Sequence, residues 1–565
     1  MNLKKISKSG FTLLLAAFVA LTAAGCGSKK TSSDGGGSTS GGIKVDEETG
    51  LVAGVDYDKA YKKMDEMTTV TLGVWQRDED DAANITDNPF ITFMREEYNI
   101  DIKFEWALPW EQHVEKVNMC INAGTLPDAV TIYSTQSVKE LLANNSIKDL
   151  TPYKQYFGNG LKGAYDSYPD DACLKEVTVD GKLGALPSTA VGYQHEVLWI
   201  RNDWLEVLGL EKPKTFDDVA KIATAFATQD PDQNGRDDTY GIPFSSYRFG
   251  VDNTSSIDPL FAAFGSFPGA WLKGSDGKVV YGSTAPETKT ALARLSELFT
   301  SRALFCEEDN NGQNIGNGKC GMVFGPWWNG DNLKASFEAN PDVDWIALSA
   351  PLDSNGKYSV PQETAALEVN GHLIMSPNCE YPEAIIKMYN VNNDLGSEKH
   401  VLPDEVVKKF ESLCDSTDVK PYFPIWQQIS YKSSIIDECK SLMKKIEAED
   451  PSGLSDHAKK RYDGIMAYKK DRYGCSVEEW NDAVNNLIGI PAADYENLNV
   501  VPVLATTLPN KFTATYSKIK TLENQYFYEI ITGIKTIDAF DNYVSDFNSM
   551  GGADIIKYIN ENAGK

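Results

Sequence analysis

Residues 69–75, TVTLGVW, alternate apolar and polar positions and are rich in β-formers, so they predict a first strand ending at Trp75. Residues 90–98 change to a helical period. Residues 100–106 (IDIKFEW) alternate again, 111–123 are helical, and 129–132 form a short apolar run suited to a buried strand. Strand, helix, strand, helix, strand predicts a parallel sheet with helices on its faces, because parallel neighbours need a crossover connection.

A second region begins at LWIRNDW, residues 198–204. Thr215 stands where a helix N-cap would, with Asp218 at the capping-box position. Val219, Ile222, Ala223 and Phe226 form the stripe that helix would bury. Ala291, Leu292, Leu295, Leu298 and Phe299 mark another helix. Residues 320–324 read as a short strand running into Gly325-Pro326-Trp327-Trp328. Residues 367–374 read as a strand turned by Pro377-Asn378, and Pro382 opens a helix over 383–389. From about 506 to 560 the pattern is mostly helical.

The first residues follow a different pattern. Lys4, Lys5 and Lys8 precede an apolar run over 11–21, and Ala23-Ala24-Gly25 leads into Cys26. That is a secretory signal, with an apolar run shorter than the roughly 20 residues a membrane span needs. It resembles the lipobox of bacterial lipoproteins, which implies that residues 1–25 are removed and Cys26 is lipidated. Residues 27–42, GSKKTSSDGGGSTSGG, hold no apolar side chain and predict a flexible tether. Its root-mean-square reach is about 25 Å. The expected location is therefore the outer face of a bacterial cell membrane, with the globular body starting between 55 and 70.

The chain has 565 residues, enough for at least two cores. Its net charge is −27, and loss of the three signal lysines makes it −30. Such a chain has no electrostatic reason to bind nucleic acid, and an anionic membrane would repel it, so a lipid has to hold it there. Apart from Cys26 there are eight cysteines, none in a CxxC pair, which argues against a zinc or redox motif and leaves disulfides open. The five histidines form no HExxH, and there is no GxSxG elbow. Gly316-Asn317-Gly318-Lys319-Cys320 only superficially resembles a phosphate loop, since Cys320 stands in place of the magnesium-binding hydroxyl. No feature marks a catalytic carboxylate pair, so an enzyme is not expected.

The sharpest local motif is Asp230-Pro231-Asp232-Gln233-Asn234-Gly235-Arg236-Asp237-Asp238. Asp230, Asp232, Asn234 and Asp238 put side-chain oxygens at positions 1, 3, 5 and 9 of an EF-hand loop. The Arg236 carbonyl falls at position 7, and Gly235 at the sharp turn. At position 12 the usual Glu is replaced by Gly241, so Asp237 or a distant carboxylate would have to complete a calcium shell. Asx-rich turns share this composition without a metal. The reading is structural calcium, with the bare turn as its alternative.

Several ordered motifs carry a family resemblance. They are 198–205 with Leu208-Gly209-Leu210, Pro213-Lys214-Thr215, the acidic loop and Tyr240-Gly241-Ile242-Pro243. Gly124-Thr125-Leu126-Pro127-Asp128, Ala263-Phe264-Gly265, Trp271 with Asp276-Gly277-Lys278, and Gly325-Pro326-Trp327 extend them. Together they resemble extracellular solute-binding proteins of carbohydrate ABC transporters, in particular large calcium-loop members that bind alginate or other oligosaccharides. Residues 395–500 match least well.

The resemblance implies a type II periplasmic-binding-protein-like fold of two α/β lobes joined by a hinge. A monomer would close its interlobe cleft on the solute and present it to permease subunits. It implies a first lobe of 55–195 plus 366–425 and a second of 196–365 plus 426–565, with the calcium-like loop at 230–241. The crossings would lie near 194–200 and 362–369. Trp327 matches the family's sugar-stacking position, and Trp328 is expected to turn toward the core. Trp75 and Arg77 follow from the sheet itself, because parallel sheets open their clefts at the strand ends. Trp106, Trp110, Tyr133, Tyr193, Arg201 and Trp271 are further candidates, while Trp199 and Trp204 are expected in the core. Sugar rings offer apolar C–H faces to such aromatic groups. The alternatives are the same fold holding a peptide or other solute, or a surface protein with an enzymatic, sensing or adhesive role.

Overall fold

The computed structural model describes residues 51–76, 85, 88–168, 171–189, 195–244, 255–306, 313–361, 371–395, 401–417, 429–454, 456–504 and 508–562. The signal-like segment, Cys26, the tether, Arg77, Tyr193 and the expected crossing at 362–369 lie outside them.

The first strand runs Thr68–Trp75 and pairs in parallel with Ile100–Leu108 on one side and Ala129–Ile132 on the other. The crossover helices are Pro89–Tyr98 and Trp110–Ala123. Asn88 starts the first by accepting the N–H groups of Phe90 and Ile91, and Gly124, at φ 68°, ends the second in the left-handed region. The predicted parallel unit is therefore present. His372–Met375 and then Leu186–Pro187 add to it antiparallel, making a five-stranded sheet. In its middle the register slips: Leu72 faces Phe104, but Gly73 faces Trp106. Glu105 is the extra residue of this bulge. Gly73 is required there, since a β-carbon would sit 2.3 Å from the Trp106 ring.

One core spans this lobe, drawing Leu72, Phe90, Ile102, Val130, Ile374 and Tyr389 from residues 70–186 and 373–407. A separate core serves a second α/β lobe. Val197–Arg201 is the centre of a three-stranded antiparallel sheet flanked by Met322–Gly325 and Trp345–Leu348, and Ile242–Phe244 pairs in parallel with Leu304–Cys306. The Thr215–Asp218 capping box forms as predicted and starts Phe216–Thr228. The C-terminal helices Asn510–Ile531 and Ala539–Phe547 bring Phe527, Ile531 and Tyr543 into the same core. Buried Glu523 accepts hydrogen bonds from Tyr281 at 2.8 Å and Lys520 at 2.5 Å, tying that long helix to the sheet region. No described helix is long and apolar enough to cross a membrane.

The stretch that matched least well divides between the lobes. Helix Asp404–Asp415 packs on the first lobe, with Phe410 edge-on to Phe93 at 5.3 Å. Residues 429–432 also lie against that lobe. Thr189 donates to the Ser430 carbonyl at 3.0 Å and accepts from its N–H at 2.7 Å, while Tyr431 occupies the space beside Gly163. From Ser434–Glu447 onward the chain turns to the second lobe. There Trp480, on Val477–Val484, stacks on Phe337 at 5.0 Å and joins a cluster with Trp199 and Trp345.

His372 provides a test of the first lobe. It is fully buried in the central sheet, bonded through Nε2 to Thr135 at 2.9 Å, and burial pushes it down to about 4. Between pH 6.5 and 4 the unfolded chain takes up a proton that the folded one refuses, so stability falls with pH by up to about 3 kcal/mol. The slope of unfolding free energy against pH in that window should flatten in His372→Gln, as measured by denaturant titration. An unchanged slope would show that His372 is charged in the folded protein.

Candidate functional site

Three parallel strands running in one direction end at one edge of the first sheet. Trp75 is the last residue of its strand, Tyr133 follows the end of Ala129–Ile132, and Trp110 begins the helix after Ile100–Leu108. The rings meet there. Trp75 and Trp110 stand edge to face at 5.1 Å, and Trp110 and Tyr133 at 4.5 Å. Trp110 is 41% exposed, an unusual state for so large an apolar side chain, and Trp75 and Tyr133 are half-buried. Burial pushes the Tyr133 phenol up to about 12, so it stays a neutral hydroxyl at physiological pH. The arrangement offers aromatic faces with a polar rim, and it stands at the edge where open α/β sheets hold ligands.

Other sequence candidates are committed elsewhere. Trp106 is buried, and its Nε1 donates to His113 Nδ1 at 3.2 Å. Arg201 is 5% exposed. It pairs with Asp203, donates to the Gly318 carbonyl at 3.3 Å, and lies 4.4 Å from the centre of the Trp204 ring. Trp271 is 3% exposed and packs on Tyr281 at 4.5 Å. All three are buried and packed within their lobes, unlike the exposed Trp110. Trp199 and Trp204 are in the core, as expected.

Trp327 follows the strand Met322–Gly325 on the second lobe and is half-buried. It packs against the Trp199 cluster and against Ile436, Cys439 and Ile490. Its Nε1 is buried without a hydrogen-bond partner among the described residues. Trp328, expected to turn inward, is instead 37% exposed.

In the acidic loop, Asp230 accepts the N–H groups of Asn234 and Gly235 at 3.1 and 3.0 Å. The Asn234 amide donates to Asp232 at 2.7 Å and to Asp238 at 3.0 Å. Burial and the neighbouring Asp230 and Asp238 raise the Asp232 carboxyl. The donor set of three carboxylates, one amide oxygen and the Arg236 carbonyl has the chemistry a hard cation prefers. As placed, no three acidic, His or Cys side chains among the described residues form a metal-holding group. Both oxygens of Asp237 bind Arg302 at 2.8 Å. Lys319 binds Asp238 at 2.8 Å, which further removes the phosphate-loop resemblance.

The family model for bacterial extracellular solute-binding proteins matches residues 78–390, more than half of the chain. This chain belongs to that family. Lipoprotein LipO of Bacillus subtilis is 28% identical over 273 residues, covering 46% of this chain and 52% of LipO. The fructooligosaccharide ABC transporter substrate-binding protein FusA of Streptococcus pneumoniae is 31% identical over 294 residues, 49% of each chain. The chain thus spans about half the length of the curated relatives it matches. The solved structures extend the likeness in fold. FusA in complex with kestose aligns over 87% of this chain and 97% of its own, with TM-score 0.52 and 18% identity. An EF-hand mutant of FusA with fructo-nystose gives 0.51 at 18% identity, over 87% and 98%. An extracellular solute-binding protein from Bifidobacterium longum subsp. infantis gives 0.58 at 16% identity, over 88% and 97%. The two-lobed α/β architecture is therefore that of the solute-binding family.

Trp110 links the other two rings, so Trp110→Ala should reduce the near-ultraviolet circular dichroism of the folded protein. The melting temperature should change little, since Trp110 is the exposed member of the cluster. An unaltered aromatic spectrum would show that the three rings do not share one arrangement in solution.

Proposed function

We propose that this solute-binding protein captures an oligosaccharide between its two lobes and delivers it to the permease of an ABC importer, acting as a monomer held at the cell surface through lipidated Cys26. The observation that carries this reading is the Trp75–Trp110–Tyr133 cluster on the first lobe. Its apolar ring faces suit the C–H faces of sugar rings, and its neutral phenol suits their hydroxyls. Trp327 supplies an aromatic residue on the opposite lobe. Closure of the lobes would bury the sugar and create the shape a permease selects. The work is capture and release, with no catalysis. The FusA likeness supports a saccharide, and the name of LipO accords with a lipid anchor. The lobes would be 55–195 plus 366–425 and 196–365 plus 426–565, with the contacts of 429–432 moving the last boundary to about 433.

A thermal-shift panel of oligosaccharides, with amino acids and peptides as controls, tests this. One glycan class should raise the melting temperature, by mass action on the folded state. Trp110→Ala and Trp327→Ala should each weaken that glycan by about tenfold, equivalent to about 1.4 kcal/mol for one lost stacking contact. A shift with peptides alone would replace the sugar by a peptide, and silence throughout would remove the capture reading.

The acidic loop is read as a structural calcium site, held by Asp230, Asp232, Asn234 and Asp238 with the Arg236 carbonyl. The EF-hand of FusA supports it, and a cation would relieve the mutual repulsion of Asp230, Asp232 and Asp238. Calcium should raise the melting temperature and EDTA lower it, with both effects lost in Asp230→Ala. Equal melting in calcium and EDTA would leave the loop as a bare Asx turn.

A further inference from the structure

The family match ends at residue 390, yet a later segment bears directly on Trp327. Two contacts fix the Pro326–Trp327 backbone. From one side, the buried Trp199 indole donates its Nε1–H to the Pro326 carbonyl at 3.1 Å. From the other, Gly489 lies so close that a β-carbon there would be 2.0 Å from the Trp327 carbonyl oxygen and 2.9 Å from the Trp199 ring. Only a residue without a side chain fits between them.

Gly489 is the last residue of a π-turn, Asn485–Gly489, which continues Val477–Val484 and leads into Ile490–Ala493. Such a turn inserts one extra residue, and it is costly enough that it commonly marks a functional position. It is well anchored. Asn485 accepts the Gly330 N–H at 3.0 Å, at the start of Gly330–Ala339, and the Cys439 thiol donates to the Asn486 carbonyl at 3.4 Å. The Trp327 ring then packs on Ile436, Cys439 and Ile490. One tryptophan is therefore held through its backbone by Gly489 and Trp199, and through its ring by helices beyond the family match.

We propose that the helical segment 434–493 positions Trp327, with Gly489 and Trp199 as the positioning residues that set where this ring stands against a bound sugar. The proposal rests on the reading of Trp327 as a ligand contact. It assigns the ring's placement, and with it part of the ligand preference, to a stretch outside the residues that the family model matches.

The test labels the chain with 5-fluorotryptophan, assigns the position-327 fluorine line with Trp327→Phe, and pairs the spectrum with glycan titration. In Gly489→Ala the Trp327 line should move while the Trp110 line stays, and glycan affinity should drop about tenfold. Ile490→Ala serves as the second variant. It lightens the packing without a backbone clash, and it should move the same line even if Gly489→Ala fails to fold. An unmoved Trp327 line in the folded variants overturns the proposal. So does a moved line with wild-type affinity. If the wild-type protein binds no glycan, the oligosaccharide reading fails, and the fluorine line alone still decides whether this segment places Trp327.

Discussion

Parallel strand pairing is the constraint on which the rest of the first lobe depends. Strands that run the same way must all end on the same edge, and their connections must return through helices on the faces. Trp75, Trp110 and Tyr133 are far apart along the chain, yet each immediately ends or follows one of the three paired strands, so pairing alone brings their rings together. The bulge opposite Gly73 belongs to the same design. It slips the register by one residue just before the strand ends, and it leaves Trp106 buried across Gly73 while Trp110, after the turn, remains exposed. Two tryptophans four residues apart differ because Trp106 lies within the strand, across Gly73, and Trp110 opens the helix that follows it.

The polar side chains of both lobes are largely committed to holding elements in place. Arg201 is spent on Asp203, Gly318 and the Trp204 face, and Glu523 on two tyrosines and a lysine. Lys387 is buried and donates to the Lys62 carbonyl at 2.7 Å, closing the first helical turn of the body. Buried charges of this kind must be paired or they destabilise the fold. At the described strand ends the accessible groups include the Trp110 ring and, beside it, the exposed Glu111.

Much of this was legible in the sequence. The alternation at 69–75 and 100–106, the capping box at Thr215 and Asp218, and the proline at 382 are local signals, and each element appears where its signal stands. The site was legible only in part. Trp75 and Tyr133 follow from the rule that clefts open at strand ends, but the rule does not say which neighbouring tryptophan is exposed. Trp106 and Trp110 look alike in sequence, because the alternation does not mark that the strand ends at Leu108 and a helix begins at Trp110. Trp271 and Arg201 are buried, which their motifs do not reveal. A residue in a recognisable motif can be there for packing, and only its neighbours in space show it. Trp328 is exposed against expectation, while Trp327 beside it is partly covered by residues more than a hundred positions later.

That cover also changes what lobe closure has to move. The segment after Asp404–Asp415 is bonded to the first lobe through Thr189 and Ser430, and a few residues later Ile436 and Cys439 pack with Ile490 and Trp327 of the second lobe. It therefore constitutes a connection between lobes in addition to the two expected crossings. Tyr358 adds a further tie. Its hydroxyl donates to the Glu196 carbonyl at 2.5 Å, and its strand, Tyr358–Pro361, pairs in parallel with Leu498–Val501 from the end of the same segment. Hinge closure concentrates backbone rotation in a few terminal residues of elements. With several connections tied to one another by main-chain and side-chain hydrogen bonds, those rotations cannot be independent. The Glu196 end of the second lobe's first strand and the strands Tyr358–Pro361 and Leu498–Val501 are thereby bonded into one set.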